Sequence, residues 1–311
     1  MTEFFTFSSL ASIAFLTIRL ATPYLYASTG ETITQKSGTL NLGNEGMMLM
    51  GSFIAFSVAV STGNLWLGAL MGAITGMLFG LMMAFVVVSL QGVQPIAGIG
   101  INMLGLGLSS IWFVGTITIG TTISGFPAVK IPLLSDIPLI GEVLFNHNVL
   151  VYGAYLIIPL ISWLLNKTTV GLKIRAVGEN PAAADSLGIN VAKIRYLSLG
   201  LGGTLAGLGG AALSIGILNL FQEDLTAGIG LISVGLVVFG GWSPWGVLRG
   251  ALLFSVLNAI QLWVQAKDLP IPSDLAAMLP AVAIIVVLAL GKQQRSKKPA
   301  ALVKPFRRGE H

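Results

Sequence analysis

Long apolar stretches separated by short polar ones run along nearly the whole sequence. A helix that crosses a membrane needs about 20 consecutive, mainly apolar residues. The apolar stretches that reach or approach that length are 5–27, 46–60, 65–90, 96–117, 148–165, 196–218, 226–240, 247–265 and 275–291. The pattern therefore predicts an all-α membrane protein with about nine transmembrane helices.

Composition supports a membrane protein and excludes several other classes. Of the 311 residues 54% are hydrophobic and 9% are charged, against about 25% charged residues in ordinary soluble domains. The net charge of +5 does not indicate nucleic-acid binding, because the basic residues gather in loops and in the tail. The absence of cysteine excludes disulfides and thiolate metal sites. Neither a metal nor a cofactor is expected.

The distribution of basic residues predicts the orientation of the chain in the membrane. Residues 166–195 are the longest charged interruption, and short loops rich in Lys and Arg stay in the cytoplasm. Counting outward from this loop places the N-terminus outside and the C-terminus in the cytoplasm, and leaves only Lys130 and Lys267 of the 17 basic residues outside. We therefore expect a transmembrane domain over 1–291 and a basic cytoplasmic tail over 292–311, solvated and attracted to anionic lipid.

The centre of the 166–195 loop predicts a short helix. Asn180 can cap its start, and Pro181 suits the first helical position because its missing N–H has no partner there in any case. Gly188 is a natural stop. A helix this short is unstable alone, so it must pack against something else.

Two of the apolar stretches are shorter than a membrane span. Residues 46–60 and 226–240 cover about 22 Å each, against about 30 Å of hydrocarbon. Each follows a polar stretch that contains glycine, and each precedes a Trp-led Gly-x3-Gly-Ala pattern, at 66–73 and at 245–251. We interpret the pair as interrupted helices in an inverted repeat that flank a central site. Chance recurrence among 39 glycines is the alternative.

Polar residues in and beside the spans indicate a solute pathway and no enzyme. The sequence shows no catalytic motif and almost no ionisable residue at the predicted membrane depth, which argues against an ion-coupled carrier and an intramembrane enzyme. Uncharged hydrogen-bonding groups suit a polar, uncharged solute, although such groups also hold helices together. The candidate pathway residues are Asn41, Asn44, Glu45, Gln94, Asn102 and Asn219.

Several sequence strings resemble one protein family. SGTLNLGNEGMMLMGS (37–52), GLKIRAVGENPAAADSLGIN (171–190) and GGTLAGLGGAALS (202–214) resemble the permease subunits of ABC importers for nucleosides and simple sugars. This large group also includes ribose and branched-chain amino-acid systems. Residues 224–261 resemble its nucleoside branch, and the resemblance runs through nearly the whole chain.

The resemblance implies an importer permease fold in the cytoplasmic membrane and a set of partners. Residues 176–188 would be a coupling helix that docks on a separate cytoplasmic ATPase, with Ala184 on the docking face. A second permease subunit, a related longer chain, would complete the pathway for a nucleoside. An extracytoplasmic lipoprotein would deliver the solute and dock on the outer loop 119–147. The alternatives are a simple-sugar importer of the ribose or galactose type and a facilitator that needs no ATPase. The coupling residues implied are Arg175, Gly178, Glu179, Asn180, Pro181, Ala184 and Gly188.

Overall fold

Helices make up nearly all the regular structure. A computed structural model describes residues 7–118, 120–132, 135, 137, 140–266, 278, 282 and 298–307. The helices of this part of the chain are α1 (Phe7–Lys36), α2 (Asn44–Thr62), α3 (Leu65–Ala84), α4 (Gln94–Thr116), α5 (Ile140–Phe145), α6 (Val149–Lys167), α7 (Thr169–Glu179), α8 (Pro181–Ser186), α9 (Val191–Ala211), α10 (Ile229–Phe239) and α11 (Pro244–Ala266). Short π-helical segments, Phe85–Ser89 and Ala212–Leu218, extend α3 and α9.

Seven helices of the described residues are long and apolar enough to cross a membrane: α1, α2, α3, α4, α6, α9 and α11. The prediction of an α-helical membrane protein is therefore confirmed. The count of about nine stays a prediction, because 275–291 lies almost entirely outside the described residues and α10 has only 11 residues.

Two predicted boundaries were wrong. The first span was expected to end at residue 27, but α1 continues to Lys36. Several of the buried hydroxyls in this last part of α1 are satisfied by carbonyls one turn earlier, as Thr32 Oγ1 donates to the Ser28 carbonyl at 2.8 Å. The second span was expected to be short, but α2 has 19 residues and begins at Asn44.

Glycines set the packing at the centre of the bundle. Among the seven candidate spans, α9 with its π-helical extension is the most buried and α4 the least. A Cβ added at Gly76 of α3 would lie 2.1 Å from the Gly203 carbonyl oxygen of α9, so the two backbones are in direct contact. Helices α1 and α2 pack on the other sides of α9, which makes α9 the central helix of the described bundle.

The two ends of the bundle carry different structures. Helix α6 starts beside a two-residue antiparallel ribbon, β1 (Val129–Lys130) with β2 (Asn146–His147), and leads at its far end into α7 and α8. We call these the ribbon end and the α8 end. His147 stacks on Phe15 of α1 with ring centroids 4.6 Å apart, and its Nε2–H donates to the Val143 carbonyl. Burial lowers the pKa of His147 below its ordinary value.

Two irregular segments interrupt the helices: 37–43, which is mostly buried, and 219–228, which is partly exposed. The first folds back along the last turns of α1, since the Asn41 N–H donates to Glu31 Oε1 at 3.2 Å. The second precedes α10, which is about 16 Å long and too short to span a membrane. The shortness of α10 agrees with an interrupted helix, which stays a prediction. The inverted repeat stays a prediction.

Candidate functional site

The N-termini of α2 and α10 meet inside the bundle. Helix α2 begins after the segment that folds back along α1, so its first turn is set back from the α8 end. Helix α10 begins after 219–228 and ends near Trp242, whose Nε1–H donates to Gln35 Oε1 at 2.7 Å. The partial positive charges of two helix N-termini therefore face one region.

The carboxylate of Glu45 closes this junction. Glu45 is in the first turn of α2 and is 3% exposed. Its Oε1 accepts from the Thr226 hydroxyl and from the Gly228 N–H at 2.9 Å, and its Oε2 accepts from the N–H groups of Gly230 at 2.6 Å and Leu231 at 3.2 Å. A negative charge at a helix N-terminus with backbone donors is strongly stabilised. We call this arrangement the Glu45 clamp.

Glycine is required at Gly230 for the clamp to close. A Cβ there would lie 2.5 Å from the Glu45 Cα, so any side chain would separate the two helix starts. Asn44 adds a second link, because its Nδ2 donates to the Gly230 carbonyl at 3.3 Å. The predicted pathway residue Glu45 thus has both oxygens occupied by donors of its own chain.

Four more predicted pathway residues, Asn41, Asn44, Gln94 and Asn102, gather around the start of α2. Asn41 Oδ1 accepts from the Gly43 N–H, and Gln94 Oε1 accepts from the Leu40 N–H at 2.9 Å. Asn102 lies against Gly46, where an added Cβ would be 2.7 Å from the Asn102 Cα. Three polar atoms of the group are buried without a hydrogen-bond partner among the described residues: Asn44 Oδ1, Gln94 Nε2 and Asn102 Oδ1.

Asn219 does not belong to this group. It lies at the ribbon end, directly after the π-helical extension of α9, with φ +59°. Its carbonyl accepts from the Ile123 N–H at 3.0 Å, and the neighbouring Leu220 bridges to Thr122. The described contacts of Asn219 are therefore with the 122–123 region and not with the other five predicted pathway residues.

The predicted short helix near Asn180 is confirmed as α8, but 176–188 is not one helix. The chain breaks at Asn180, which ends α7 and whose Oδ1 caps α8 by accepting from the Ala183 N–H at 3.0 Å. Pro181 opens α8, and Gly188 follows its end with φ +80°. We call α7 and α8 together the α7–α8 segment.

Ala184 was expected on the exposed docking face of this segment, and the structure places it on the buried face. Ala184 is 2% exposed and packs into the bundle, so it does not lie on a docking face. Gly178 is also buried, against the Lys36 carbonyl at the end of α1. Arg175 and Pro181 are half-buried, whereas Glu179, Asn180 and Gly188 are exposed. The most exposed apolar residue in this region is Leu187, directly after α8, which is 82% exposed, whereas Leu172 of α7 is 59% exposed.

Comparison with known proteins identifies the family. A profile for the permease component of branched-chain amino acid transport systems matches residues 13–288, which is most of the chain. The chain belongs to this permease family. No solved structure matches it.

Relatives of this permease carry several solute names. It is 41% identical over 81% of its length to 78% of a putative glucose ABC transporter permease protein of Haloferax volcanii. It is 35% identical over 87% of its length to 89% of a nucleoside ABC transporter permease protein of Lactococcus lactis. It is 34% identical over 94% of its length to 96% of a guanosine ABC transporter permease protein of Bacillus subtilis.

Sequence reasoning missed part of the site in this permease. Glu31 is fully buried in α1, where its Oε1 also accepts from Gln35 Nε2 at 2.9 Å and its Oε2 has no partner among the described residues. The expectation of almost no ionisable residue at depth is therefore wrong for α1. The helical i,i+4 spacing of Glu31 and Gln35, between runs of Ser and Thr, was the available signal.

Proposed function

We propose that this permease is the membrane-spanning subunit of an ABC importer for a nucleoside, with a separate ATPase that docks on the α7–α8 segment. Membership of the permease family and the nucleoside and guanosine permeases among its relatives support this reading. The observation that carries the coupling role is Leu187, an 82%-exposed leucine held at the end of a capped helix. An apolar side chain presented in this way suits a hydrophobic groove on a partner.

The Glu45 clamp and its neighbours support the pathway assignment. In the part of the chain that the structure describes, Asn44 Oδ1 and Asn102 Oδ1 are acceptors without a partner, and Gln94 Nε2 is a donor without one. The hydroxyls of a ribose and the edges of a base would pair with such groups. The carboxylate of Glu45 already has four donors, so it holds the pathway in shape and leaves solute contacts to the amides.

The remaining parts follow from this assignment. The α8 end would face the cytoplasm and the N-terminus would lie outside. A second permease subunit would complete the pathway, and an extracytoplasmic binding lipoprotein would dock on the connection between α4 and α6 at the ribbon end. The permease itself performs no chemistry, because ATP hydrolysis belongs to the partner chain.

Replacing Leu187 tests the docking role. Leu187→Asp places a charge on the proposed contact and should lower ATPase binding and solute uptake about tenfold or more, as loss of a central apolar anchor does. Because the side chain is exposed, the permease should still fold and insert. Leu187→Met keeps an apolar contact and should behave as the unaltered protein. ATPase co-purification is the measurement, and unchanged binding by Leu187→Asp would refute the docking role.

A simple sugar is the second candidate solute, favoured by the 41% identity to the putative glucose permease. Sugar hydroxyls would pair with the same amides. Uptake of labelled guanosine, uridine, glucose and leucine should be compared in cells with and without the gene. Loss of guanosine and uridine uptake alone supports a nucleoside, whereas loss of glucose uptake alone would replace it by a sugar.

A further inference from the structure

Residues 298–307 pack against the α8 end instead of extending into solvent. Ala301 is 4% exposed and Leu302 is 9% exposed. The expectation of a solvated tail therefore does not hold for Ala301 and Leu302, whereas Lys298, Val303 and Lys304 are exposed. We call residues 298–307 the C-terminal strap.

Backbone hydrogen bonds attach the strap to two different elements. The Ala301 N–H donates to the Gly178 carbonyl in the last turn of α7 at 2.9 Å. The Val303 N–H donates to the Gly38 carbonyl, just after α1, at 3.2 Å. Within three residues the strap therefore bonds both to the α7–α8 segment and to the irregular segment that leads into α2.

Further polar contacts hold the strap along its length. The Ala300 N–H lies 3.4 Å from Glu179 Oε2, and the Lys304 carbonyl accepts from Arg195 Nη2 of α9 at 3.2 Å. Arg307 donates from its Nε to Gln91 Oε1, between α3 and α4. Bonds at both ends and in the middle make the strap a fixed part of the α8 end.

Leu302 connects the strap to α10. It belongs to a buried cluster with Val237 of α10, Trp242 and Val247, and Leu40 packs against the same cluster. Trp242 in turn donates to Gln35, whose Nε2 donates to Glu31 in α1. A displacement of the strap would thus be passed to the C-terminal end of α10, whose N-terminal end binds Glu45.

We propose that the C-terminal strap is a positioning element that transmits movement of the α7–α8 segment to the Glu45 clamp. It couples ATP hydrolysis to opening of the pathway, an inference that rests on the proposed ATPase docking. The strap moves together with α7 and pulls on the starts of α2 and α10 through Gly38 and Leu302. Leu302 acts through these elements and contacts no solute.

Leu302→Asp tests this role in the complete complex of permease, ATPase and binding protein. A charge in the cluster should break the link and lower the number of solute molecules transported per ATP by about 5- to 150-fold, the usual range of a coupling between sites. Leu302→Met, which is apolar and of similar size, should restore the ratio. An unchanged ratio in Leu302→Asp would overturn the proposal.

ATPase co-purification separates this result from a failure of the proposed function. We expect Leu302→Asp to bind the ATPase as the unaltered protein does, because Leu302 faces the bundle. If the unaltered permease binds no ATPase, the proposed function is wrong. Should Leu302→Asp reduce the yield of folded permease, a stop codon in place of Lys298 removes the strap without burying a charge. That variant should show the same low ratio, and a normal ratio would overturn the proposal.

A cross-link tests whether strap and α7 move together. The chain has no cysteine, so Glu179→Cys with Ala300→Cys provides one pair of thiols for a short, cleavable bifunctional reagent. Uptake by this double variant should be the same before and after cross-linking. Loss of uptake that returns when the reagent is cleaved would show that the strap must leave α7, and would overturn the proposal.

Discussion

None of the described partners of the buried Glu45 carboxylate is a basic residue. Its four donors are one hydroxyl and three backbone N–H groups, and the N–H groups of Gly230 and Leu231 are at the start of α10, where an α-helix leaves such donors unpaired. The carboxylate thus completes the helix start, and the helix start stabilises the charge. The arrangement is selective for a carboxylate, because only a group with two accepting oxygens serves all four donors.

Glu45→Gln should weaken the junction of α2 and α10 strongly. The glutamine amide has one accepting oxygen and no charge. Its NH₂ group would face N–H or O–H groups that are themselves donors. We expect a loss of about 2–4 kcal/mol in the free energy of unfolding, from one or two charged hydrogen bonds, together with loss of uptake. Thermal unfolding of the purified permease measures it.

Glu223→Gln is the matched control, because Glu223 lies on the same 219–228 segment but is exposed. It should unfold and transport as the unaltered protein. Equal unfolding temperatures for the two variants would refute the clamp.

Sequence rules predicted the roles of single residues correctly where those roles depend only on neighbouring residues in the chain. Asn180 caps, Pro181 opens and Gly188 follows α8 as expected, since each effect acts within one turn of helix. The role of Glu45 could not be predicted in the same way, because its partners are 181 to 186 residues away. The buried position of Ala184 could not be predicted either, because the packing of α7 and α9 determines which face of α8 is turned toward the bundle.

At the level of helices, the contact between α3 and α9 depends on the absence of side chains. Gly76 lies against the backbones of both Gly203 and Gly207, and Gly80 lies 2.3 Å, measured from an added Cβ, from the Leu199 carbonyl oxygen. In a membrane, apolar side chains gain little free energy by moving from lipid to a protein interface. Close backbone packing of this kind is therefore a main source of helix association.

Gly76→Ala should therefore force α3 away from α9. We expect a cost of about 1–3 kcal/mol from overpacking, seen as a lower unfolding temperature in detergent. Gly100→Ala in α4 is the control, since nothing lies within 4 Å of an added Cβ there. It should be neutral or stabilise by about 1 kcal/mol through helix propensity. A Gly76→Ala protein as stable as Gly100→Ala would contradict the packing.

Helices that face lipid were predicted well, and helices buried by protein were not. The stretches 65–90 and 96–117 are mainly apolar and match α3 with its extension and α4 within two residues. The end of α1 was missed, because a helix surrounded by other helices can carry Thr, Glu and Gln whose bonds are made inside the protein. Hydropathy identifies residues suited to contact with lipid. It does not identify polar residues that are buried against other helices.

For the whole molecule, the two ends differ in charge as well as in structure. The α8 end carries the 166–195 loop with five basic residues, whereas Lys130 is the basic residue of the ribbon. Basic residues favour the cytoplasmic side, which supports the proposed orientation. Lys267, the other basic residue expected outside, lies beyond the described part of the chain.

Reporter fusions measure the orientation directly. A reporter active only outside the cytoplasm should work when fused near Lys130 and should fail near Lys173 or after Lys292. A cytoplasmic reporter fused at the same positions should give the reverse pattern. Activity of the external reporter near Lys173 would reverse the orientation, and with it the side on which the ATPase docks.

The long separation within the Glu45 clamp has a consequence for biosynthesis. A ribosome makes about 5–20 residues per second, so Glu45 leaves it roughly 10 to 40 s before its last partner, Leu231, 186 residues later. During that interval the start of α2 holds a carboxylate with no donor from α10. The amino-terminal half of the permease must therefore wait in the membrane, or beside the insertion machinery, with its first pair of helices unfinished. The junction of α2 and α10 is completed only when the chain from residue 226 onward arrives.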